Sequence, residues 1–170
     1  MKTLWWIDVE TTGLSSVTDK LLEIAISTAP FDDPFNATPV YHRVLSFSPN
    51  AFVEKFVVEM HTKSGLLMEC YESPTPLVVV HAELWKLIPD DLTTNNILAG
   101  SSVHFDRGFL PEDIAKRFSH RHYDVSAVKM FCESIGMPPL PKAEAHRAQA
   151  DVLESISHAK QCAEWRSPRA

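Results

Sequence analysis

Apolar segments separated by turn-forming residues divide the first part of the chain into strands. Strands are predicted at residues 3–8, 22–29 and 40–47, because these segments are mostly apolar and are bounded by clusters of Gly, Ser, Asp and Pro. Those clusters lie at 13–16 and 30–34. Because the connections are short, we expect the three strands to form an antiparallel meander.

The rest of the chain alternates helical and strand-like patterns. Residues 50–89 predict several helices that are interrupted at 64–65 and 73–74. The segment 77–87 could also be a strand because it has three consecutive valines, but the residues that follow them favour a helix. The elements predicted after it are a buried strand at 97–101, a helix around 104–118, a strand at 122–125, a helix around 126–135, a loop at 136–141 and a last helix around 147–164. An antiparallel trio followed by alternating helices and strands predicts an α/β domain with a mixed, twisted sheet flanked by helices.

Composition limits the class of protein. The chain has 170 residues, of which 45% are hydrophobic and 22% charged, so we expect a single globular domain over residues 1–170. No apolar run is long enough to cross a bilayer, and the N-terminus enters a strand directly, so we expect no membrane association and a cytoplasmic location. Cys70, Cys132 and Cys162 are odd in number and far apart, which predicts reduced, buried thiols.

The charge of the chain limits its partners. The formal net charge is −6, whereas proteins that hold long nucleic acids need many Lys and Arg contacts to phosphates. A short anionic substrate that is held partly through metal ions remains compatible with this charge.

Two carboxylates at the end of the first strand are the strongest chemical signal. Asp8 and Glu10 are two residues apart, so a strand would point both to one face. Carboxylates held this close repel each other, and a divalent cation with oxygen ligands is the usual solution. The alternative is that both are ordinary polar residues at the exposed end of a strand.

Three later residues add to this signal. Asp106 follows the predicted strand at 97–101, where open α/β sheets build ligand sites, although it could simply complement a helix dipole. His146 and Asp151 are five residues apart, so His146 is expected on the loop or first turn and Asp151 on the helix itself. The alternative is a solvated histidine before an amphipathic helix.

In combination, the order Asp-x-Glu, Asp, His-x-x-x-x-Asp resembles the DEDDh exonuclease superfamily, whose fold is the ribonuclease-H-like α/β domain. The chain looks most like the oligoribonucleases, through the segments at 6–14, 60–66, 106–110 and 123–126, and the similarity extends from Trp6 to about Lys160. The resemblance implies one exonuclease domain that hydrolyses short single-stranded RNA or DNA from the 3′ end to mononucleotides.

The resemblance also implies a role for each acid. Two Mg²⁺ or Mn²⁺ ions would bind phosphate oxygens and acidify a water, and a histidine of near-neutral pKa can take the proton of that water. An all-oxygen ligand set suits Mg²⁺ or Mn²⁺ better than zinc. The implied metal ligands are Asp8, Glu10, Asp106 and Asp151, and the implied general base is His146.

Substrate contacts are implied as well. Leu14 and Phe56 would pack on the bases, with Phe56 in place of the usual tryptophan; their alternative is that both are core residues. The family closes off the 5′ phosphate with residues that correspond to His61, Arg121 and Ser126, although His61 could instead be an ordinary residue at a helix start.

Two positions depart from the family pattern. Ala127 replaces a threonine, and His120 replaces an aromatic residue that reaches in from the second subunit of a homodimer. Because of these departures, the sequence does not predict a strict preference for dinucleotides.

Two other functions remain open: a proofreading or DNA-processing exonuclease, and a non-catalytic binding module on the same fold. The five intact site residues argue against the second, because a scaffold has no need of four acids around one histidine.

Overall fold

The computed structural model describes residues 2–48, 55–90, 95–143 and 145–165. Within these ranges, five strands and seven helices follow one another along the chain. Their bounds are β1 Thr3–Thr11, β2 Leu21–Pro30, β3 Thr38–Val44, α1 Lys55–Lys63, α2 Leu66–Glu72, α3 Leu77–Leu87, β4 Asn96–Gly100, α4 Val103–Phe109, α5 Glu112–Ala115, β5 His122–Asp124, α6 Val125–Ser134 and α7 Ala148–Glu164.

The strands form one mixed sheet in the order β3-β2-β1-β4-β5. β1 pairs antiparallel with β2 and parallel with β4, while β2 pairs antiparallel with β3 and β4 parallel with β5. The predicted antiparallel meander and the mixed α/β sheet are therefore confirmed. β1 lies at the centre, and Gly100 permits β4 to approach it closely, because a Cβ there would lie 2.6 Å from the carbonyl oxygen of Ile7.

Each face of the sheet has its own hydrophobic core. On one face Trp5, Ile7 and Val9 pack with residues of α3, α4 and α5; on the other, Leu4 and Trp6 pack with residues of α6 and α7. This is the period-two alternation of a strand buried on both sides. The helices thus form one layer on each side of the sheet, and β1 directs its even-numbered residues towards α7.

Several predicted bounds were wrong. β1 continues to Thr11, three residues past the predicted end, so that Glu10 lies within the strand. The single helix predicted around 104–118 is two helices, α4 and α5, because Pro111 lacks a backbone N–H and lies at the N-cap of a new helix. The start of the predicted helical region, 50–54, lies outside the described residues. The segment 77–87 is helical, as its later residues indicated.

Two predictions from composition can be compared with the structure. Cys70, Cys132 and Cys162 are free and buried, as expected. Across the described part of the chain, none of the helices has the length and apolarity that crossing a membrane would need.

Candidate active site

The C-terminal half of β1 changes from core residues to acids. On the face where Leu4 and Trp6 are buried against α6 and α7, the next two residues are Asp8 and Glu10. Asp151, in the first turn of α7, faces them: each of these three carboxylates offers an oxygen, and the three oxygens lie within 4.8 Å of one another. Strand alternation and helix packing therefore produce the acid cluster that the sequence predicts.

Asp106 approaches the same end of β1 from the other side. It is buried in the first turn of α4, and its Oδ1 accepts a hydrogen bond of 3.0 Å from the backbone N–H of Val9. Its charge contributes to raising the pKa of Asp8, so the two carboxylates interact electrostatically. Asp106 therefore does more than complement a helix dipole, since its side chain is bound to β1 at Val9, the residue between Asp8 and Glu10.

The acids are held in an environment that disfavours their negative charge. Burial, and then the nearby carboxylates, raise the pKa of Asp8 well above its usual value. Burial and the charge of Asp151 raise the pKa of Glu10 to about 8, and burial raises the pKa of Asp106 to about 7. Asp151 also has a raised pKa because of burial, and its Oδ1 is buried without a hydrogen-bond partner. Clustered carboxylates with an orphaned oxygen are the donor set that hard divalent cations prefer, so these residues fit divalent metal ions.

His146 lies on the loop immediately before α7, as its spacing from Asp151 indicated. Its backbone has a left-handed conformation, with φ 47°. It lies close enough to Asp151 to oppose the rise in the pKa of that carboxyl. The histidine is partly exposed, so it is placed next to the acid cluster without being enclosed by the core.

A cleft of about 310 Å³ opens next to Asp8 and Asp151. The cleft is also lined by hydroxyl groups and by two lysines, Lys129 and Lys142. Lys142 lowers the pKa of Glu10 and so acts as a nearby cation. The serines of the cleft are Ser101, Ser102, Ser126 and Ser155. Sequence reasoning missed Lys142, because a lysine on a loop carries no signal of its own.

The residues predicted to contact substrate lie in different environments. Leu14 and Phe56 are 87% and 71% exposed, so the alternative that they are core residues is wrong. Arg121 is exposed just before β5. Ser126 lines the cleft, and its hydroxyl lies 3.1 Å from that of Ser102. Asp124 caps α6 by accepting hydrogen bonds from Ser126 and Ala127, which is a structural role.

His61 differs from the other predicted substrate residues because it is buried. It lies in the last turn of α1, so it is not a helix-start residue, and it is 1% exposed. Its Nε2–H donates to the carbonyl of Thr11 at 3.0 Å, and the same nitrogen is 3.9 Å from a carboxylate oxygen of Glu10. Burial lowers the pKa of His61. His61 contacts the end of β1, through Thr11 and Glu10, whereas Ser126 lies beside Ser102 at the end of β4, so the two residues have different partners.

Sequence reasoning also missed a buried ion pair behind the cluster. Glu23 lies opposite Glu10 in the register of β1 and β2, and its carboxylate binds Arg147, the residue after His146. Burial acts to raise the pKa of Glu23, but hydrogen bonds from Arg147 and His42 lower it below its usual value. A single acid within the apolar run of residues 21–26 was the available signal.

The fold and the acid cluster define an exonuclease domain, and comparison with known families agrees. A family model described as an RNase T exonuclease matches residues 5–158. The chain therefore belongs to this exonuclease family.

Within that family, the chain is similar to oligoribonucleases. The oligoribonuclease of Mycobacterium sp. strain KMS is 35% identical, in an alignment that covers 92% of this chain and 78% of the relative. That of Mycobacterium tuberculosis is 34% identical, with coverage of 90% and 76%. The mitochondrial oligoribonuclease of Saccharomyces cerevisiae is 34% identical, with coverage of 92% and 64%.

Solved structures support the fold. Escherichia coli exonuclease I in complex with a 5cy-dT13 oligonucleotide superimposes with a TM-score of 0.73 at 18% identity, covering 99% of this chain and 42% of that one. A product-bound exonuclease I gives a TM-score of 0.72 at 16% identity, covering 99% and 45%. The chain thus spans less than half of exonuclease I, and the ribonuclease-H-like fold expected from the sequence is confirmed.

Proposed function

We propose that this protein is a metal-dependent 3′→5′ exonuclease that hydrolyses short single-stranded oligonucleotides, RNA in preference to DNA, to nucleoside 5′-monophosphates. The observation that carries the proposal is the convergence of Asp8, Glu10 and Asp151 to within 4.8 Å, with His146 on the adjoining loop. A non-catalytic module would gain nothing from carboxylates whose burial disfavours their own charge.

The acid cluster would hold the metal ions. Asp8, Glu10, Asp106 and Asp151 offer only oxygen ligands, which suits Mg²⁺ or Mn²⁺. Bound cations of this kind neutralise phosphate oxygens and lower the pKa of water. The raised carboxyl pKa values favour this role, because each acid gains a counter-charge that the metal-free site lacks.

His146 would act as the general base. It accepts a proton from the attacking water, whose oxygen forms the new bond to phosphorus while the P–O3′ bond breaks. The terminal nucleotide then leaves with its 5′ phosphate, and the freed 3′ oxygen takes up a proton. Because His146 is partly exposed, the proton that it accepted from the water can return to solvent.

The proposal limits the substrate to short oligonucleotides. Leu14 and Phe56 expose apolar side chains that can pack on bases, and Arg121 and Ser126 would contact the 5′ phosphate. His61, which is 1% exposed and donates to the Thr11 carbonyl, would instead support the end of β1. A net charge of −6 offers little attraction for a long polyanion. The protein would act as a single domain over residues 1–170 and as a homodimer in which the region of His120 helps to close the site. The cytoplasmic location stays a prediction.

Degradation of labelled oligonucleotides tests the proposal. RNA and DNA of two to about twenty nucleotides, labelled at either end, are incubated with Mg²⁺, with Mn²⁺ or with EDTA. We expect 5′-labelled RNA to shorten stepwise, 3′-labelled RNA to release mononucleotide at once, and EDTA to stop both. Equal or faster turnover of long DNA would favour the DNA-processing alternative, and no hydrolysis of any substrate would favour the binding module.

A further inference from the structure

Glu23 is an isolated charge inside an apolar strand. It lies between Leu22 and Ile24 near the start of β2, and it is 1% exposed. A carboxylate this deeply buried is tolerated only when its oxygens are paired and hydrogen-bonded. Its partners therefore indicate what it holds in place.

The carboxylate of Glu23 binds three groups, two of them at the start of α7. Arg147 donates to it from Nε and from a terminal nitrogen at 3.1–3.3 Å, and the backbone N–H of Ala148 donates at 3.0 Å. The third donor is Nε2 of His42 on β3, at 2.7 Å. The guanidinium of Arg147 also binds Glu69 on α2, with distances of 2.7 and 2.8 Å. Arg147 is thereby fixed to two separate elements.

These contacts replace a missing helix cap. Arg147 is the N-cap residue of α7, and its side chain makes no capping hydrogen bond. The N–H groups of the first turn of a helix need acceptors, and a carboxylate there is also favoured by the helix dipole. Glu23 supplies this carboxylate from the neighbouring sheet, so the start of α7 is tied to β2 at the residue opposite Glu10.

Two proposed active-site residues flank this tie. His146 directly precedes Arg147 and holds a left-handed backbone, a conformation that non-glycine residues keep only when their surroundings impose it. Asp151 lies one turn after Arg147, and its backbone N–H bonds the Arg147 carbonyl at 3.0 Å. A shift of the Arg147 backbone would therefore move both residues relative to Asp8 and Glu10.

We propose that Glu23 and Arg147 are positioning residues that together set the placement of His146 and Asp151 against the acids of β1. This inference rests on the proposed function, because it assigns the pair to the same site. Neither residue touches the substrate. Their effect is on the geometry of the groups that do.

A charge effect through space would look different from a positioning effect. Glu23→Gln removes a negative charge near the acids, whereas Arg147→Gln removes a positive one, so pure electrostatics would shift Mn²⁺ affinity in opposite directions. Loss of position lowers the turnover of both variants. Each single variant already breaks the ion pair of Glu23 and Arg147. The double variant should therefore lose about as much turnover as the worse single variant.

The experiment compares Glu23→Gln, Arg147→Gln, Arg147→Lys and the double Gln variant with wild type. We expect kcat to fall about 10- to 100-fold in folded protein at saturating Mn²⁺, with KM within about threefold. Arg147→Lys should recover only part of the loss, because a lysine cannot bind two carboxylates bidentately. Glu83→Gln is the matched control, since Glu83 binds Arg43 through two nitrogens at 3.0 and 3.1 Å on the exposed surface, and it should leave kcat unchanged.

A second readout does not depend on activity. Amide hydrogen exchange of a peptide covering residues 146–152 should be faster in the Gln variants than in wild type or Glu83→Gln. If wild type proves inactive but exchange accelerates, the proposed function fails and the tie stands. If wild type is active while the Gln variants keep its kcat and exchange, or show additive losses with opposite shifts in Mn²⁺ affinity, the positioning proposal is overturned. Should Arg147→Gln not fold, Glu23→Gln and the double variant, which bury no unpaired carboxylate, are compared with wild type, and unchanged kcat and exchange in both overturn the positioning proposal.

Discussion

The acid cluster (Asp8, Glu10, Asp106 and Asp151) and the exposed substrate residues (Leu14, Phe56 and Arg121) are built in opposite ways. Glu10 and Asp106 are buried and Asp8 and Asp151 are partly buried, and all four lie on regular elements whose other residues form the two cores. The exposed residues lie on the surface, where their side chains are held by few neighbours. Chemistry that depends on fractions of an ångström is thus placed by the core, whereas contact with bases of any sequence needs only an apolar surface.

The largest expected effect is loss of a carboxylate from the cluster. Asp151→Asn or Glu10→Gln should lower kcat about 10⁴-fold or more, because loss of a metal ligand removes several kcal/mol of charge stabilisation. Turnover is measured at saturating Mn²⁺ on a short RNA. Asp113→Asn is the control, since Asp113 is an exposed acid paired with His81 on the surface. A folded Asp151→Asn or Glu10→Gln variant with wild-type turnover would contradict the proposed metal-binding role of the acid cluster.

His146 is intermediate between the acid cluster and the exposed substrate residues. Its side chain is partly exposed, but its backbone is held because the next residue, Arg147, is bound to Glu23. We expect His146→Ala to lower kcat about 10²- to 10⁴-fold while Mn²⁺ affinity is largely kept. The check is kcat together with a Mn²⁺ titration of the same variant. Weaker Mn²⁺ binding with turnover restored at high Mn²⁺ would instead make His146 a ligand.

Substitution of Arg121 tests the proposed role of the exposed substrate residues. Arg121→Ala should lower kcat/KM for a 5′-phosphorylated dinucleotide by about 10- to 100-fold, the value of a charged hydrogen bond of about 1.5–3 kcal/mol, and affect a twenty-nucleotide RNA much less. The measurement is kcat/KM against length, with Arg43→Ala as the surface control. A profile whose shape is the same in wild type and variant would argue against a closed 5′ phosphate pocket.

The smallest effect is a pH dependence of stability in the metal-free protein. Between pH 6.5 and 8, Glu10 and Asp106 still release protons in the folded state, because their pKa values are about 8 and about 7, whereas the same carboxyls are already ionised in the unfolded chain. The folded state binds more protons, so stability should fall as pH rises through this window, by at most about 1.4 kcal/mol per pH unit for each such carboxyl.

Thermal unfolding with and without Mn²⁺ measures this effect. The rise in Tm on adding Mn²⁺ should grow from pH 6.5 to 8, because the ligands must be deprotonated to bind the ion. Glu10→Gln should flatten the profile of the metal-free protein. Metal-free stability that rises across this window would contradict the raised carboxyl pKa values.

The sequence predicted those parts of the site that depend on local periodicity. Strand alternation places Asp8 and Glu10 on one face, and helix geometry separates His146 from Asp151, so both relations can be derived from short spacings. Pro111 could have been used in the same way to end α4, since proline breaks a helix at a predictable position.

The parts that were missed depend on pairing between distant segments. Glu23 meets Arg147 only because β2 lies beside β1 and α7 packs across both, and no local pattern indicates a contact between two residues that are 124 positions apart. His61 was expected at a phosphate but lies buried against Thr11, and this contact joins two residues that are 50 positions apart. Patterns in a single sequence predict which residues of one element share a face, but they do not predict which distant residues come into contact.

The ion pair of Glu23 and Arg147 has a consequence for how this sequence can evolve. Replacing Arg147 alone leaves the carboxylate of Glu23, which is 1% exposed, without its guanidinium partner, and such a step is destabilising. Arg147 without Glu23 still binds Glu69, so loss of Arg147 is better tolerated once Glu23 has already changed to a neutral residue. We therefore expect positions 23 and 147 to covary among descendants of this gene, in the same way as two bases of an RNA stem.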